Sequence, residues 1–150
     1  YTRKTHRISG LPLLGQAPDI FQDYLVWIEW GESSGIVLSH LHNGQQIRIP
    51  SDFPTQLQCS SVHCAWLTDK GVHLLTENQE VQFFPSSRTQ QVTLFNDTAC
   101  WNDAVEGRNL IRCTDGKTIV TENYPLYPQL HSRGLYLTSG DTFWHIGLEN

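Results

Sequence analysis

From Tyr24 onward, apolar and polar residues alternate in short runs rather than in helical stripes. The stretch "YLVWIEW", residues 24–30, is aromatic and β-branched with Leu25 and Trp27 on one face, the composition and alternation of a strand. No later window of helical length carries apolar residues at i, i+3, i+4 and i+7 between capping residues, so the pattern predicts an essentially all-β chain. Four segments share one plan, in which an apolar strand end, a polar turn with glycine or asparagine and a second apolar strand follow one another. They are "LSHLHNGQQIRI" around Gly44, "WLTDKGVHLL" around Gly71, "IRCTDGKTIV" around Gly116 and "LYLTSGDTFWHI" around Gly140. These are hairpin signals, because reversing twisted strands requires positive φ, which Asn43-Gly44 and Asp115-Gly116 adopt readily. Their spacing of roughly 25 to 45 residues lies near that of propeller blades but is not a clean period. Residues 1–23, with Gly10, Pro12, Gly15 and Pro18 and little periodicity, read as an extended lead-in to an all-β repeat domain over residues 24–150.

Trp27, Trp30, Trp66, Trp101 and Trp144 recur between the hairpins, and most of them are expected to fill space between packed sheets. Trp101, flanked by Cys100, Asn102 and Asp103, is the expected exception. At 150 residues, 39% of them hydrophobic, the chain fits one domain with an ordinary core. Ten basic against 15 acidic residues give a net charge of -5. The attraction to phosphate that supports nucleic-acid or anionic-membrane binding is therefore missing at the level of the whole chain, and no nucleic-acid partner is expected. Arg3, Lys4 and Arg7 read as a solvated tail. No run approaches the roughly 20 apolar residues that cross a bilayer, so no membrane insertion is expected. The chain starts at Tyr1 and contains no methionine, which reads as a processed or excised portion of something longer.

The densest chemistry lies in "QCSSVHCAWLTDKGVHLL", residues 58–75. Zinc needs four converging ligands, and Cys59 and Cys64 with His63 between them have neither the spacing of a zinc knuckle nor a matching second half, so no metal is expected. Cys59, His63, Leu67-Thr68 and Gly71, with Trp30-Gly31, Pro50 and Pro54 upstream, resemble a repeat of the RCC1-like β-propellers over residues 26–78. Ser60 stands where that family has glycine after the cysteine, and its G-Q-L-G loop is missing after Gly31. WD-like and YWTD-like propellers use the same physics. The resemblance implies a propeller, and since about four blades is the smallest closed ring, 150 residues would make a very small ring or an arc. A β-sandwich or small barrel is the alternative architecture. By analogy the family implies guanine-nucleotide exchange on a small GTPase, chromatin binding or ubiquitin-pathway scaffolding, of which chromatin binding fits poorly with a charge of -5.

On the propeller reading Cys59 and Cys64 are buried as small apolar groups and His63 is a satisfied turn histidine. The rival is disulfide pairing of Cys59 with Cys64 or of Cys100 with Cys113, the second pair bracketing a hairpin that turns near Glu106-Gly107. Asn96-Asp97-Thr98 fits the N-glycosylation pattern. The compartment stays open, with the weight on the intracellular side. No nucleophile elbow, P-loop, zinc-protease or dinucleotide fingerprint occurs, so neither an enzyme nor a cofactor is expected. Asp97, Asp103 and Glu106 read as a solvated loop cluster beside Trp101 whose intervals do not match a calcium loop.

The functional expectation is a non-catalytic protein-interaction module, a propeller scaffold segment within a larger regulatory assembly, whose partner is another protein or the remaining blades. Its contact surface is placed on the loops at 95–108 and 122–133, with Asp97, Trp101, Asp103, Glu106, Arg108, Tyr124 and Tyr127. The alternative is a secreted or viral disulfide-linked β-sandwich of the carbohydrate-binding kind. A third reading is a hydrolase using His63 and Cys64.

Overall fold

The computed structural model describes residues 18–86, 88–121, 127–132, 134–139 and 142–147. Among the described residues there is no helix, and fifteen strands form four antiparallel sheets in chain order. Blade 1 holds β1 (Asp19–Phe21), β2 (Tyr24–Glu29), β3 (Gly35–His40) and β4 (Gln46–Pro50). Blade 2 holds β5 (Thr55–Cys59), β6 (Cys64–Thr68), β7 (Gly71–Leu75) and β8 (Val81–Pro85). Blade 3 holds β9 (Val92–Phe95), β10 (Thr98–Val105), β11 (Arg108–Cys113) and β12 (Thr118–Thr121), and blade 4 holds β13 (Tyr127–His131), β14 (Gly134–Ser139) and β15 (Thr142–Ile146). The segment at 95–108, expected as a loop, is mostly strand β10, and the Cys100-to-Cys113 hairpin turns at Glu106-Gly107 as its sequence suggests.

First strands begin at residues 19, 55, 92 and 127, so the blades repeat at 36, 37 and 35 residues. The glycines hid this period because they mark different turns. Gly44 and Gly116 lie between third and fourth strands, whereas Gly71 opens a third strand; Gly140 lies outside the described residues. A better repeat is Pro-Ser at the end of the fourth strand, Pro50-Ser51 and Pro85-Ser86. The Ser51 N–H donates to Ser34 O at 3.3 Å and the Ser86 N–H to Lys70 O at 3.1 Å, tying each connection to the turn before Gly35 or Gly71. A Cβ at Gly35 would lie 2.4 Å from Ile49 O, and one at Gly71 2.2 Å from Phe84 O, so only glycine lets the fourth strand close down there.

Period-2 alternation gives each middle strand two buried faces, and the core consists of one apolar cluster per blade junction. Val26, Ile28, Ile36 and Leu38 of blade 1 meet Leu57, Trp66 and Leu75 of blade 2. Leu67, Val72 and Leu74 meet Val92, Ala99 and Trp101, and Ile111 meets Leu130, Leu135 and Leu137. The inner strands β1, β5, β9 and β13 have a free edge along the axis, and their backbone N–H groups need partners. Side chains of the preceding inner strand supply them: Asp19 Oδ2 accepts from Cys59 N at 2.7 Å, Gln56 Oε1 from Val92 N at 3.3 Å, Gln58 Oε1 from Leu94 N at 3.0 Å, and Thr93 Oγ1 from Leu130 N at 2.9 Å. A β-bulge between Thr55 and Gln58, with Gln56 at φ 51°, turns both glutamines toward blade 3. Among the described residues, close packing joins each blade to the next along the chain.

The cysteines are not free thiols. Cys59 pairs with Cys64 within blade 2 and Cys100 with Cys113 within blade 3, in both cases as direct cross-strand partners. A buried cysteine packs as a small apolar group, yet residues facing each other across a hairpin at this separation are also placed to bond. His63 sits in the turn closed by the first disulfide, and its Nδ1 is buried without a hydrogen-bond partner among the described residues, unlike the satisfied turn group expected.

Candidate functional site

The topology makes two unlike faces. Turns between second and third strands, together with the connections between blades, lie at one end, the upper face. The other turns lie at the lower face, where Leu41 N donates to Asp23 O at 2.8 Å. Connecting segments on a rigid scaffold are where binding residues collect, and here the upper face carries the unusual ones.

At the junction of blades 1 and 2 the upper face opens into a cleft of about 420 Å³ lined by Ser33, Ser34, Asp52, Thr68, Lys70 and His73. Lys70 Nζ lies 3.1 Å from Asp52 Oδ2, and this hydrogen bond, reinforced by the Asp52 and Asp69 charges, holds the ammonium pKa above its ordinary value. Both side chains are exposed, so the pair fixes the rim rather than the fold. The His73 ring stacks on Trp66 with centroids 5.3 Å apart, lies 4.8 Å from Phe83, and places Nε2 3.2 Å from Thr68 Oγ1. Burial, with the Lys70 charge adding to it, pushes His73 below the ordinary 6.5. The folded state therefore prefers the neutral ring; its contribution is intact above the unfolded value near 6.5 and is lost as pH falls toward the folded pKa. The wild type is expected to lose urea resistance below pH 6.5 by an increment that His73→Gln removes; equal pH profiles for the two would refute the assignment.

Trp30 and Phe53 lie in the upper-face segments that adjoin this cleft in sequence. The Trp30 Nε1–H donates to Pro54 O at 3.0 Å while the ring stays 47% exposed. Phe53 is 79% exposed at φ 43°, a left-handed conformation that a bulky residue rarely adopts. From the sequence, Trp30 is expected in the core and Phe53 is not singled out. The available signal was an aromatic residue in the polar connection "SDFPT", with no apolar neighbour at i±2 to share a face.

The second junction has a cleft of about 260 Å³ beside Arg88, Gln90, Asn102 and Asp103. Asp103 occupies the place that Trp66 has one blade earlier. Trp66 Nε1–H donates to Ser51 Oγ at 3.0 Å, whereas Ser86 Oγ–H donates to Asp103 Oδ1 at 2.6 Å. Asp103 also pairs with Arg112 at 3.2 Å and accepts from its neighbour Ala104 N at 2.8 Å. Asp103→Ala leaves the Ser86 and Arg112 donors without their acceptor and is expected to destabilise the fold by about 2 kcal/mol in chemical denaturation, with Asp103→Asn losing less; a neutral Asp103→Ala would show the cluster to be dispensable. A third recess, about 520 Å³, lies on the inner strands and is lined by Asp19, Gln58, Gln91, Thr93, Gln129 and His131.

These positions sort the sequence-derived surface. Trp101, expected to be exposed, is 2% exposed inside the second core cluster, and Asp103 is 5% exposed, so neither side chain can meet a partner. Their neighbours are polar because alternate residues of β10 face opposite junctions, which a loop reading could not see. Trp30 and Trp144, expected in the core, are exposed, whereas Trp27 and Trp66 are buried as expected. Glu106, Arg108 and Tyr127 lie exposed on the upper face, Asp97 lies on the lower face, and Tyr124 falls outside the described residues. The proposed cluster of Asp97, Asp103 and Glu106 is thus split between two faces and a core. Among the described residues no group of three or more His, Cys, Asp or Glu is placed to hold a metal ion. Cys64, being disulfide-bonded, has no thiol to act as a nucleophile beside His63.

Neither a known protein-family model nor a curated protein matches the chain. Solved structures do. A streptogramin B lyase structure is similar at a TM-score of 0.55 and 14% identity, over 85% of this chain and 50% of the lyase chain. The fold is therefore of the β-propeller type. A chain of a nidogen/laminin complex is similar at a TM-score of 0.35 and 13% identity, over 79% of this chain and 70% of that one. The chain spans half the length of the lyase, and at such identity the likeness concerns fold and not activity.

Proposed function

We propose that the chain is a non-catalytic propeller scaffold that binds a protein partner on its upper face, with Phe53 and Trp30 as the anchors. The observation that carries this reading is Phe53, a large apolar ring held 79% exposed by a connection that accepts an unfavourable φ to do so. Exposed aromatic residues beside a polar rim are the usual centres of binding energy, and the Asp52–Lys70 pair supplies such a rim. Tyr127, at the start of blade 4, belongs to the same face.

Further blades complete the arc on this reading, as in a larger regulatory assembly. Gln56, Gln58 and Gln91 bond to a following inner strand, but Gln129 has no such strand after it among the described residues. At the other end Ile20 is 58% exposed on the side where Leu57 and Leu130 are buried in later inner strands. Among the roles implied by the RCC1-like resemblance of residues 26–78, this reading takes scaffolding, and a net charge of -5 fits chromatin binding poorly. The two disulfides favour an oxidising compartment over the intracellular one.

Sizing and crosslinking test the reading together. An arc with two unsatisfied ends is expected to elute larger than a monomer, and a stable monodisperse monomer would count against further blades. Phe53→p-benzoylphenylalanine is expected to yield protein adducts on irradiation, and the same replacement at Asp97 on the lower face to yield none. Adducts at neither position, or equally at both, would reject the upper face as the contact surface.

A further inference from the structure

We infer that Asn96 is an N-glycosylation site, which would leave the upper face free and cover the lower face of blade 3 with sugar. Three independent observations meet there. Asn96-Asp97-Thr98 is an acceptor sequence. Its asparagine lies at φ 52° in the two-residue turn between β9 and β10, with Asn96 and Asp97 exposed. The turn is anchored through its backbone, where Ser60 Oγ–H donates to Asn96 O at 2.5 Å, while the Asn96 side-chain amide has no partner among the described residues. A modified side chain would leave that anchor in place.

The third observation is chemical. All four cysteines are paired and none is free, which a small domain maintains in the secretory pathway, the compartment where asparagine is glycosylated. In the transfer, Asn96 Nδ2 bonds to the anomeric carbon of an oligosaccharide carried on a polyprenyl diphosphate. The bond from that carbon to the diphosphate oxygen breaks, the polyprenyl diphosphate leaves with the electron pair, and the amide nitrogen loses one proton. No oxidant or reductant is needed. The turn between β1 and β2, Gln22-Asp23, repeats the positive φ and the aspartate but lacks the asparagine, so the first blade has no acceptor at this position.

The full chain, placed behind a secretion signal in eukaryotic cells and read in whole lysate, tests this directly. The wild type is expected to migrate as a slower band that peptide N-glycosidase collapses, leaving aspartate at position 96 in the mass spectrum. Asn96→Gln and Thr98→Ala are expected to remove the slower band, and Thr98→Ser to retain it. Wild-type chain with both disulfides formed and Asn96 unmodified would overturn the inference, as would a slower band that survives Asn96→Gln. Free thiols in the unmodified chain would overturn it as well and would withdraw the oxidising compartment, leaving the upper-face reading untouched.

Discussion

Removing the blade 3 disulfide, as Cys100→Ala/Cys113→Val, is expected to lower stability by about 3 kcal/mol, with the same loss when the wild type is unfolded in reducing agent. The two residues are 13 apart in sequence, and a crosslink of that span removes conformational freedom from the unfolded chain by an amount of this order. Alanine and valine keep apolar volume in the third core cluster, where Cys100 is fully buried beside Ile111 and Leu137. The loss therefore reports the crosslink more than a cavity. Cys59 and Cys64 are only 5 apart, and the logarithmic dependence on span predicts a smaller loss, about 2 kcal/mol, for their removal. Guanidinium unfolding of the two variants under non-reducing conditions checks the order. A wild-type midpoint unmoved by reductant would mean that these bonds do not hold the fold.

Gly71→Ala is expected to be more damaging, on the order of 3 to 5 kcal/mol, and to be a harsher change than Gly107→Ala at about 1 kcal/mol. Both glycines have positive φ, +145° and +79°, so backbone conformation alone does not separate them. The surroundings do. Nothing lies within 4 Å of a Cβ at position 107, while one at position 71 would meet Phe84 O at 2.2 Å and Ser86 N at 2.8 Å. Both atoms are backbone, and relieving the contact means moving the end of β8 together with the Ser86 connection that reaches Asp103 in the next blade. Gly35→Ala, with an ordinary φ but a 2.4 Å approach to Ile49 O, isolates the steric part and is expected to fall between the other two. Thermal denaturation ranks the three variants, and equal melting shifts at 71 and 107 would show that the close approach relaxes freely.

The sequence carried the strand content because alternation in segments such as 24–29 reflects burial directly, and it carried the turns at Asn43-Gly44 and Asp115-Gly116 because positive φ selects so few residues. It did not carry the period. Glycine serves both second-to-third and third-to-fourth turns, in blade 3 at Gly107 and at Gly116, so its spacing mixes two series. Pro50-Ser51 and Pro85-Ser86 keep step, since each closes the same strand and ties the same turn. The site was harder still. Trp101 and Asp103 look like surface residues because Asn102 lies between them and carboxylates sit nearby, but Asn102 is buried for a different reason: its Oδ1 accepts from Gln90 N at 3.0 Å and Gln91 N at 2.8 Å, closing the connection between blades 2 and 3. A polar residue satisfied by backbone groups from another blade is indistinguishable in sequence from one satisfied by water. Phe53 is the reverse, an apolar residue whose neighbours in space offer it no cover.

The glutamines and the aspartate along the axis recognise main-chain groups of the following strand and not its side chains. A neighbour needs only an extended backbone at the right height to be accepted, whatever residues it bears. Such a joint tolerates sequence drift on one side without an answering change on the other, and it lets a whole sheet be duplicated, exchanged or lost while those that remain keep their fit. A likeness in fold at 14% identity is compatible with joints of this kind.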